Sequence, residues 1–186
     1  MQTEIERRKF LNRAMLGALS VFAVALGAGT IEELWPRPKG VFGTKFLAGF
    51  IDDIRETIRE QKFFYNTAGR FYLVSYETSD SSNFYVQRGV ASHGLLSIYQ
   101  KCSHLGCRTP FCSTSGRFEC PCHGAKFNYA GERLPGGPAP ASLWHFPLEV
   151  RDNGSVYVDT SHPTAQTPAG FFTIDSTQTG PSCISD

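Results

Sequence analysis

Two short runs bearing cysteine and histidine constrain this chain more than anything else in it. The first is Cys102-Ser103-His104-Leu105-Gly106-Cys107; the second is Cys120-Pro121-Cys122-His123-Gly124-Ala125-Lys126-Phe127. Each run offers a cysteine with a histidine two or three positions later, and each carries a further cysteine. Two thiolates and two imidazoles on two facing loops can hold a metal, and the further pair, Cys107 and Cys122, can tie the loops together. Structural zinc also takes Cys₂His₂ sets. Zinc fingers, however, present C-x-x-C and H-x₃₋₅-H pairs, not one mixed pair per loop, and zinc leaves the two extra cysteines without a reason. Covalent haem attachment needs C-x-x-C-H, and Cys120-Pro121-Cys122-His123 is one residue short.

The pattern resembles the two boxes of the Rieske iron–sulfur proteins, in which two histidines replace two cysteines on one iron of a [2Fe–2S] centre. The resemblance covers roughly residues 69–159. It takes in Gly137-Pro138-Ala139-Pro140, placed where Rieske proteins of quinol-oxidising complexes carry a proline loop over the cluster. It implies one [2Fe–2S] cluster per chain, with Cys102 and Cys120 on the inner iron and His104 and His123 on the outer. It also implies a Cys107–Cys122 disulfide, with Leu105 and the loop of Gly137, Pro138, Ala139 and Pro140 shielding the cluster. The corresponding function is the electron-transfer subunit of a membrane quinol:cytochrome c oxidoreductase. There His123, with His104 beside it, takes the hydrogen bond and proton of a quinol at a cytochrome b-type subunit, and the electron passes on to a c-type cytochrome. Neutral imidazoles in place of anionic thiolates make such a centre easier to reduce. In one respect the chain departs from high-potential members of the family. These have serine after the glycine of the second box and tyrosine two residues on, where this chain has Ala125 and Phe127. Without the two hydroxyl donors the potential falls, which favours menaquinol as the donor.

Net charge is +1, so no nucleic acid or other polyanion is implied as a partner. Beyond the four ligand candidates and the bridging pair, Cys112 and Cys183 remain. They either form a second disulfide or stay as two unrelated buried thiols. Disulfides place the domain in an oxidising compartment.

The N-terminus supplies a route there. Ala14 to Ile31 carries no charge, and that stretch as a helix spans about 27 Å, close to the hydrocarbon thickness of a bilayer. Arg7, Arg8, Lys9 and Arg13 precede it and Glu32 and Glu33 follow. The positive-inside rule therefore predicts a single-pass bacterial membrane protein with its N-terminus in the cytoplasm and its cluster domain outside. Arg7-Arg8-Lys9-Phe10-Leu11 also looks like a twin-arginine export signal. A cleaved signal peptide competes with an uncleaved anchor, but Ala23-Val24-Ala25 falls in the middle of the apolar run. The expected organisation is a cytoplasmic N-terminus at 1–13, an anchor helix at 14–34, a hinge linker at 35–45, a Rieske domain at 46–160 and a tail at 161–186.

The linker carries Trp35, Pro36, Pro38, Gly40 and Gly43. Leu47, Ile51, Ile54 and Ile58 then recur at helical spacing beside Phe50, predicting an amphipathic helix against the membrane surface or the domain. From Phe71 the texture is β. Strands are expected at Phe71–Tyr76, Phe84–Val86, Leu95–Tyr99, Phe118–Cys120, Leu148–Val150 and Val156–Val158, with turns at Thr67–Gly69, Ser113–Gly116 and Asp152–Gly154. The predicted fold is mainly β: an N-terminal transmembrane helix followed by an antiparallel β-sandwich with a cluster-binding subdomain. The segment after Thr160, rich in Ser, Thr, Pro and Gly, reads as coil. His93, His145 and His162 have no partner pattern.

Two other functions share parts of the pattern. The small Rieske subunit of a periplasmic molybdenum oxidase, such as arsenite oxidase, is also exported by the twin-arginine route. A Rieske oxygenase needs in addition a second iron site of two histidines and a carboxylate and a catalytic domain. The chain has neither.

Overall fold

The computed structural model describes residues 2–34 and 43–184. The chain divides into an N-terminal unit and a domain that begins near residue 40.

The N-terminal unit is one helix, α1 (Gln2–Leu34). It extends further back than the expected anchor, so Arg7, Arg8, Lys9 and Arg13 lie on the same helix as the apolar run. Within it, Glu6–Thr30 is long and apolar enough to cross a membrane. Leu16, Leu19, Val21, Phe22 and Val24 are all exposed and, being close in sequence, cover every side of the helix. The hinge linker falls largely on residues 35–42, outside the described residues. By Gly43 the chain is already part of the domain: the Gly43 N–H donates to Thr160 Oγ1 (2.8 Å) and the Thr160 N–H donates to Thr44 O (3.0 Å).

The domain is built from three small antiparallel sheets. In the first, β1 (Lys45–Phe50) pairs with β10 (Ser155–Asp159), which pairs with β9 (Leu148–Val150). The second has the order β2 (Phe64–Asn66), β3 (Phe71–Ser75), β5 (Leu95–Tyr99), β4 (Ala91–Ser92). The third has the order β6 (Phe111–Cys112), β7 (Arg117–Glu119), β8 (Lys126–Phe127). The second sheet is the middle layer. Successive side chains of a strand point to opposite faces, so Phe71, Leu73 and Leu95 join Phe146, Val156 and Val158 of the first sheet's core. From the same two strands Tyr72, Val74, Leu96 and Ile98 join Phe118, Phe127, Cys102 and Cys120 on the other side. Burial on both faces is why Phe71 to Val74 reads as an unbroken apolar run.

Two sequence expectations are corrected. The predicted amphipathic helix starts too early, since Lys45–Phe50 is strand β1 and the helix α2 is Ile51–Gln61. Gly49, at φ +147°, marks a bulge in β1 and blocks any helix through it. Leu47 and Phe50, placed by their spacing on the apolar face of that helix, are about half exposed (48% and 53%). Ile54 and Ile58 do bury, against Phe71, Leu73 and Leu95, which assigns that face to the domain. The Ile51 N–H donates to the carbonyl of Gly154 in the β9–β10 turn (2.9 Å), and Lys62 at φ +75° closes the other end of α2. Second, Phe84–Val86 is the start of a short helix, α3 (Phe84–Gln87), because Asn83 Oδ1 accepts the Tyr85 N–H and caps it. Three aromatic and β-branched residues are too few for periodicity to separate helix from strand.

Past Thr160 the described chain forms neither helix nor strand, but it is not loose. Ala165 and Thr167 are buried, and Ala165 O faces Nδ1 of the buried His145 (3.2 Å), whose Nε2 faces Ala130 O (2.9 Å). Burial pushes the His145 imidazole down to about 4, so it packs as a neutral ring over Tyr85.

Ile54 is the cleanest probe of the packing of α2. Ile54→Ala should lower the unfolding free energy of the domain by about 2–5 kcal/mol, read as a drop in urea midpoint at unchanged slope. A helix lying on lipid instead would leave the midpoint of the detergent-free domain where it was.

Candidate metal centre

The two boxes fold into loops of one design. In the first, the Cys102 N–H donates to Cys107 O (2.8 Å) and the Gly106 N–H to Cys102 O (3.0 Å). In the second, the Cys120 N–H donates to Ala125 O (2.8 Å) and the Gly124 N–H to Cys120 O (3.1 Å). Gly106 and Gly124 hold the matching left-handed positions, at φ +82° and +73°, which favour glycine. The second loop joins β7 to β8; the first leaves β5 and closes on a bridge between Lys101 and Arg108.

Of the six cysteines, two are free: Cys102 and Cys120, both buried. Cys107 is bonded to Cys122 across the two loops, with Cα atoms 6.6 Å apart. Cys112 is bonded to Cys183 and ties the tail to β6. Nearer the surface, the rings of His104 and His123 lie edge to face with centroids 4.9 Å apart. His123 is exposed and His104 half-buried. The sequence-predicted thiols and imidazoles thus converge in two layers, sulfur inside and nitrogen outside. Cys120 also lies within 4.8 Å of the sulfurs of Cys107 and Cys122, but bonded sulfurs do not serve as thiolates.

Do these residues suit a metal cluster? Burial pushes the Cys102 thiol up to about 11, and the neighbouring Cys120 thiol adds to the shift. Two adjacent buried thiols do not ionise together without a cation between them. Thr109 places a buried hydroxyl, with no hydrogen-bond partner among the described residues, against Cys102, where a sulfur acceptor would satisfy it. Two thiols in need of positive charge, an orphan donor and two outward imidazoles fit an iron–sulfur centre. Ala125 and Phe127 are both buried beside this set and bring no donor to it.

The loop of Gly137, Pro138, Ala139 and Pro140 lies on the second box. A Cβ on Gly137, itself at φ +72°, would come within 2.8 Å of Ala125 Cα. Arg133 donates to Gly137 O at the start of the loop (3.0 Å), and Ser103 of the first box donates to Ala141 O just past its end (2.6 Å). Leu105, at the tip of the first box, is 72% exposed.

Glu119 and Glu132, which belong to no sequence motif, are fully buried. Glu119 accepts from Ser115 Oγ (2.7 Å) and from the backbone N–H groups of Cys183 and Ile184 (2.7 and 3.1 Å). Glu132 accepts from Asn128 and from Thr173. Both carboxylates hold the tail against the third sheet. Their donors are far away in the chain, and Cys183 was the one hint of this contact in the sequence.

The Rieske [2Fe-2S] domain family matches residues 67–147. The iron–sulfur subunit of the cytochrome b6-f complex from Desmonostoc sp. is 32% identical over 145 residues, 75% of this chain and 76% of that one. The corresponding subunit of Nostoc punctiforme is 30% identical over 89% of this chain and 92% of that one. This chain belongs to the Rieske family. Its relatives are Rieske subunits of cytochrome bc-type complexes, and its cofactor is a Rieske-type [2Fe–2S] cluster. Subunit 2 of the Synechocystis complex is a further relative, 28% identical over 84% of this chain and 86% of its own. Among solved structures, the plasma membrane Rieske protein of Synechocystis aligns over 61% of this chain and 98% of its own, with 22% identity and a TM-score of 0.42.

The covalent pattern is directly testable. Mass spectrometry of an unreduced digest should recover the Cys107 peptide joined to the Cys122 peptide and the Cys112 peptide joined to the Cys183 peptide. Cys102 and Cys120 should alkylate once the metal is removed. Alkylation of Cys107 or Cys122 without reductant would break this assignment.

Proposed function

We propose that this Rieske protein takes single electrons from a quinol, menaquinol by preference, at a cytochrome b-type subunit and delivers them to a c-type haem. The observation that carries the reading is the pair of free buried thiols beneath two adjoining imidazoles, one of them open to solvent. Cys102 and Cys120 would hold one iron of the cluster and His104 and His123 the other. The bound cluster supplies a one-electron acceptor of raised potential. His123, exposed at the tip, accepts the hydrogen bond of the quinol hydroxyl and holds its proton at the ring nitrogen, and His104 orients beside it. Leu105 and the Gly137–Pro140 loop exclude water, and the Cys107–Cys122 bond keeps the two boxes in register.

Helix α1 anchors the protein in a single pass, with the N-terminal basic run in the cytoplasm and the cluster domain on the outer side. The kinship with cytochrome-complex subunits favours this reading over the small subunit of a molybdenum oxidase.

The ligand set predicts a red-brown protein with a rhombic Rieske-type EPR signal on reduction. Cys102→Ser and His123→Ala should each abolish that signal. A full, unchanged signal in both variants would overturn the assignment.

The donor preference rests on Ala125 and Phe127. Hydrogen bonds to sulfur stabilise the more negative, reduced centre, and these two buried positions provide none from their side chains. Thr109, whose buried hydroxyl lies against Cys102, is able to supply one. In redox titrations, Ala125→Ser and Phe127→Tyr should each raise the midpoint by on the order of 50 mV, the equivalent of about 1 kcal/mol of difference between redox states. If neither hydroxyl raises it, the preference for menaquinol loses its basis.

A further inference from the structure

We propose that Lys101 and Arg108 make the tip of this domain a cationic docking face, and that the haem protein receiving the electron presents an acidic face to it. This rests on the function proposed above and adds the chemistry of the partner.

From Gln100 to Leu148 the basic residues are Lys101, Arg108, Arg117, Lys126 and Arg133, and the acids are Glu119 and Glu132 alone. Both acids are buried, at 1% and 0% exposure, and both are engaged internally by the tail. The two boxes therefore show solvent no negative side chain of their own. The whole chain has a net charge of only +1, so this is a local excess and not general basicity.

Lys101 and Arg108 are placed for contact. They face each other across an antiparallel bridge at the base of the first box, and both are exposed. Among the described residues neither has a carboxylate partner. Like charges at paired positions cost stability; Arg108 has the Tyr65 ring as a partner for its charge, and Lys101 has no carboxylate or ring partner among the described residues. The stem of Lys101 runs over the first box, so close that a Cβ on Gly106 would meet its Cε at 2.4 Å. With His104, Leu105, Gly106, Trp144 and Pro163 it lines an open cavity of about 390 Å³. The Arg108 guanidinium lies 4.7 Å from the Tyr65 ring centroid, which fixes its position beside the boxes. A third cation, Arg133, sits at the proline loop through Gly137 O. A protein that approaches Leu105 and His104 meets Lys101 in the same cavity, with Arg108 across the bridge from it. Carboxylates on that protein would steer the encounter and raise its rate by roughly 10–10³-fold at low salt.

The test uses the full chain in detergent with its cluster, reduced and mixed by stopped flow with two oxidants. Hexacyanoferrate(III) is an anion and tris(phenanthroline)cobalt(III) a cation; each accepts one electron from the protein with no bond made or broken. Screening lengths fall from about 30 Å at 0.01 M salt to about 10 Å at 0.1 M, so rates are compared across that range. The anionic oxidant should slow several-fold as salt rises and the cationic one should speed up. In Lys101→Gln/Arg108→Gln both slopes should flatten. In Lys45→Gln/Arg151→Gln, a charge-matched control on β1 and beside β9, they should persist. Equal salt slopes for the two oxidants, or equal flattening in the control, would overturn the proposal. A readout independent of the cluster is retention on a carboxylate column. Lys101→Gln/Arg108→Gln should elute earlier than the control pair, and co-elution would also overturn it. A chain that gives no Rieske signal and reacts with neither oxidant would refute the proposed function instead, and the column would then decide the docking face by itself.

Discussion

The bond between Cys107 and Cys122 closes two loops that neither strand pairing nor helix packing would hold together. Each loop is internally hydrogen-bonded in the same pattern, but no backbone hydrogen bond joins one to the other among the described residues. The residues it links are 15 apart in sequence, and closing a loop of that size removes about 3 kcal/mol of unfolded-state freedom in the chain-entropy account. Its positional effect matters more here. Two buried thiols stay adjacent, although burial opposes the charge that Cys102 would carry as a ligand. The iron centre and the disulfide are complementary. The metal supplies the positive charge that the thiols lack, and the disulfide supplies the geometry.

The loops stand on a scaffold whose middle sheet is buried on both faces. Because β3 and β5 contribute alternate residues to two cores, the third sheet is packed to the first through shared strands and not through a flexible linker. Phe118 and Phe127 sit under the second box and against Tyr72 and Ile98. A cavity in the middle sheet would therefore be felt at the boxes. The tail adds a second clamp from outside. Cys112–Cys183, 71 residues apart, closes a loop worth about 4 kcal/mol in the same account. The Glu119 carboxylate, one residue before Cys120, receives the tail's last described N–H groups.

That use of Glu119 and Glu132 has an electrostatic consequence. Acids spent on holding the tail are lost to the surface, and the boxes are left with their cations outward. Structural economy inside the third sheet and the sign of charge at the tip are thus two sides of one arrangement. Ala125 and Phe127 follow a related logic: apolar side chains pack the second box tightly, at the cost of donors to sulfur.

Much of this was legible in the residues. The two boxes name their chemistry because few sites need a mixed Cys/His pair and a spare cysteine on each of two loops. The charge-free run from Ala14 to Ile31, the β-rich texture after Phe71 and the Asp152–Gly154 turn are local signals, and local periodicity is what a sequence displays directly. It could not show that Leu47 and Phe50 belong to a strand, because Gly49 admits a bulge at a place where the apolar spacing imitates a helix. Nor could it show that Phe84 begins a helix, since the deciding contact is one Asn83 side chain on one N–H. The two-residue strands, β4, β6 and β8, exist only through their partners. The sequence by itself determined the two Cys/His boxes, the long apolar run and the β class, because these depend on residue identity and short spacing. Tertiary structure alone decided that the tail locks onto Cys112, that two acids turn inward, and that Arg108 seats on Tyr65. Each of those outcomes depends on which distant segment arrives next to a residue, and only the closed chain supplies that.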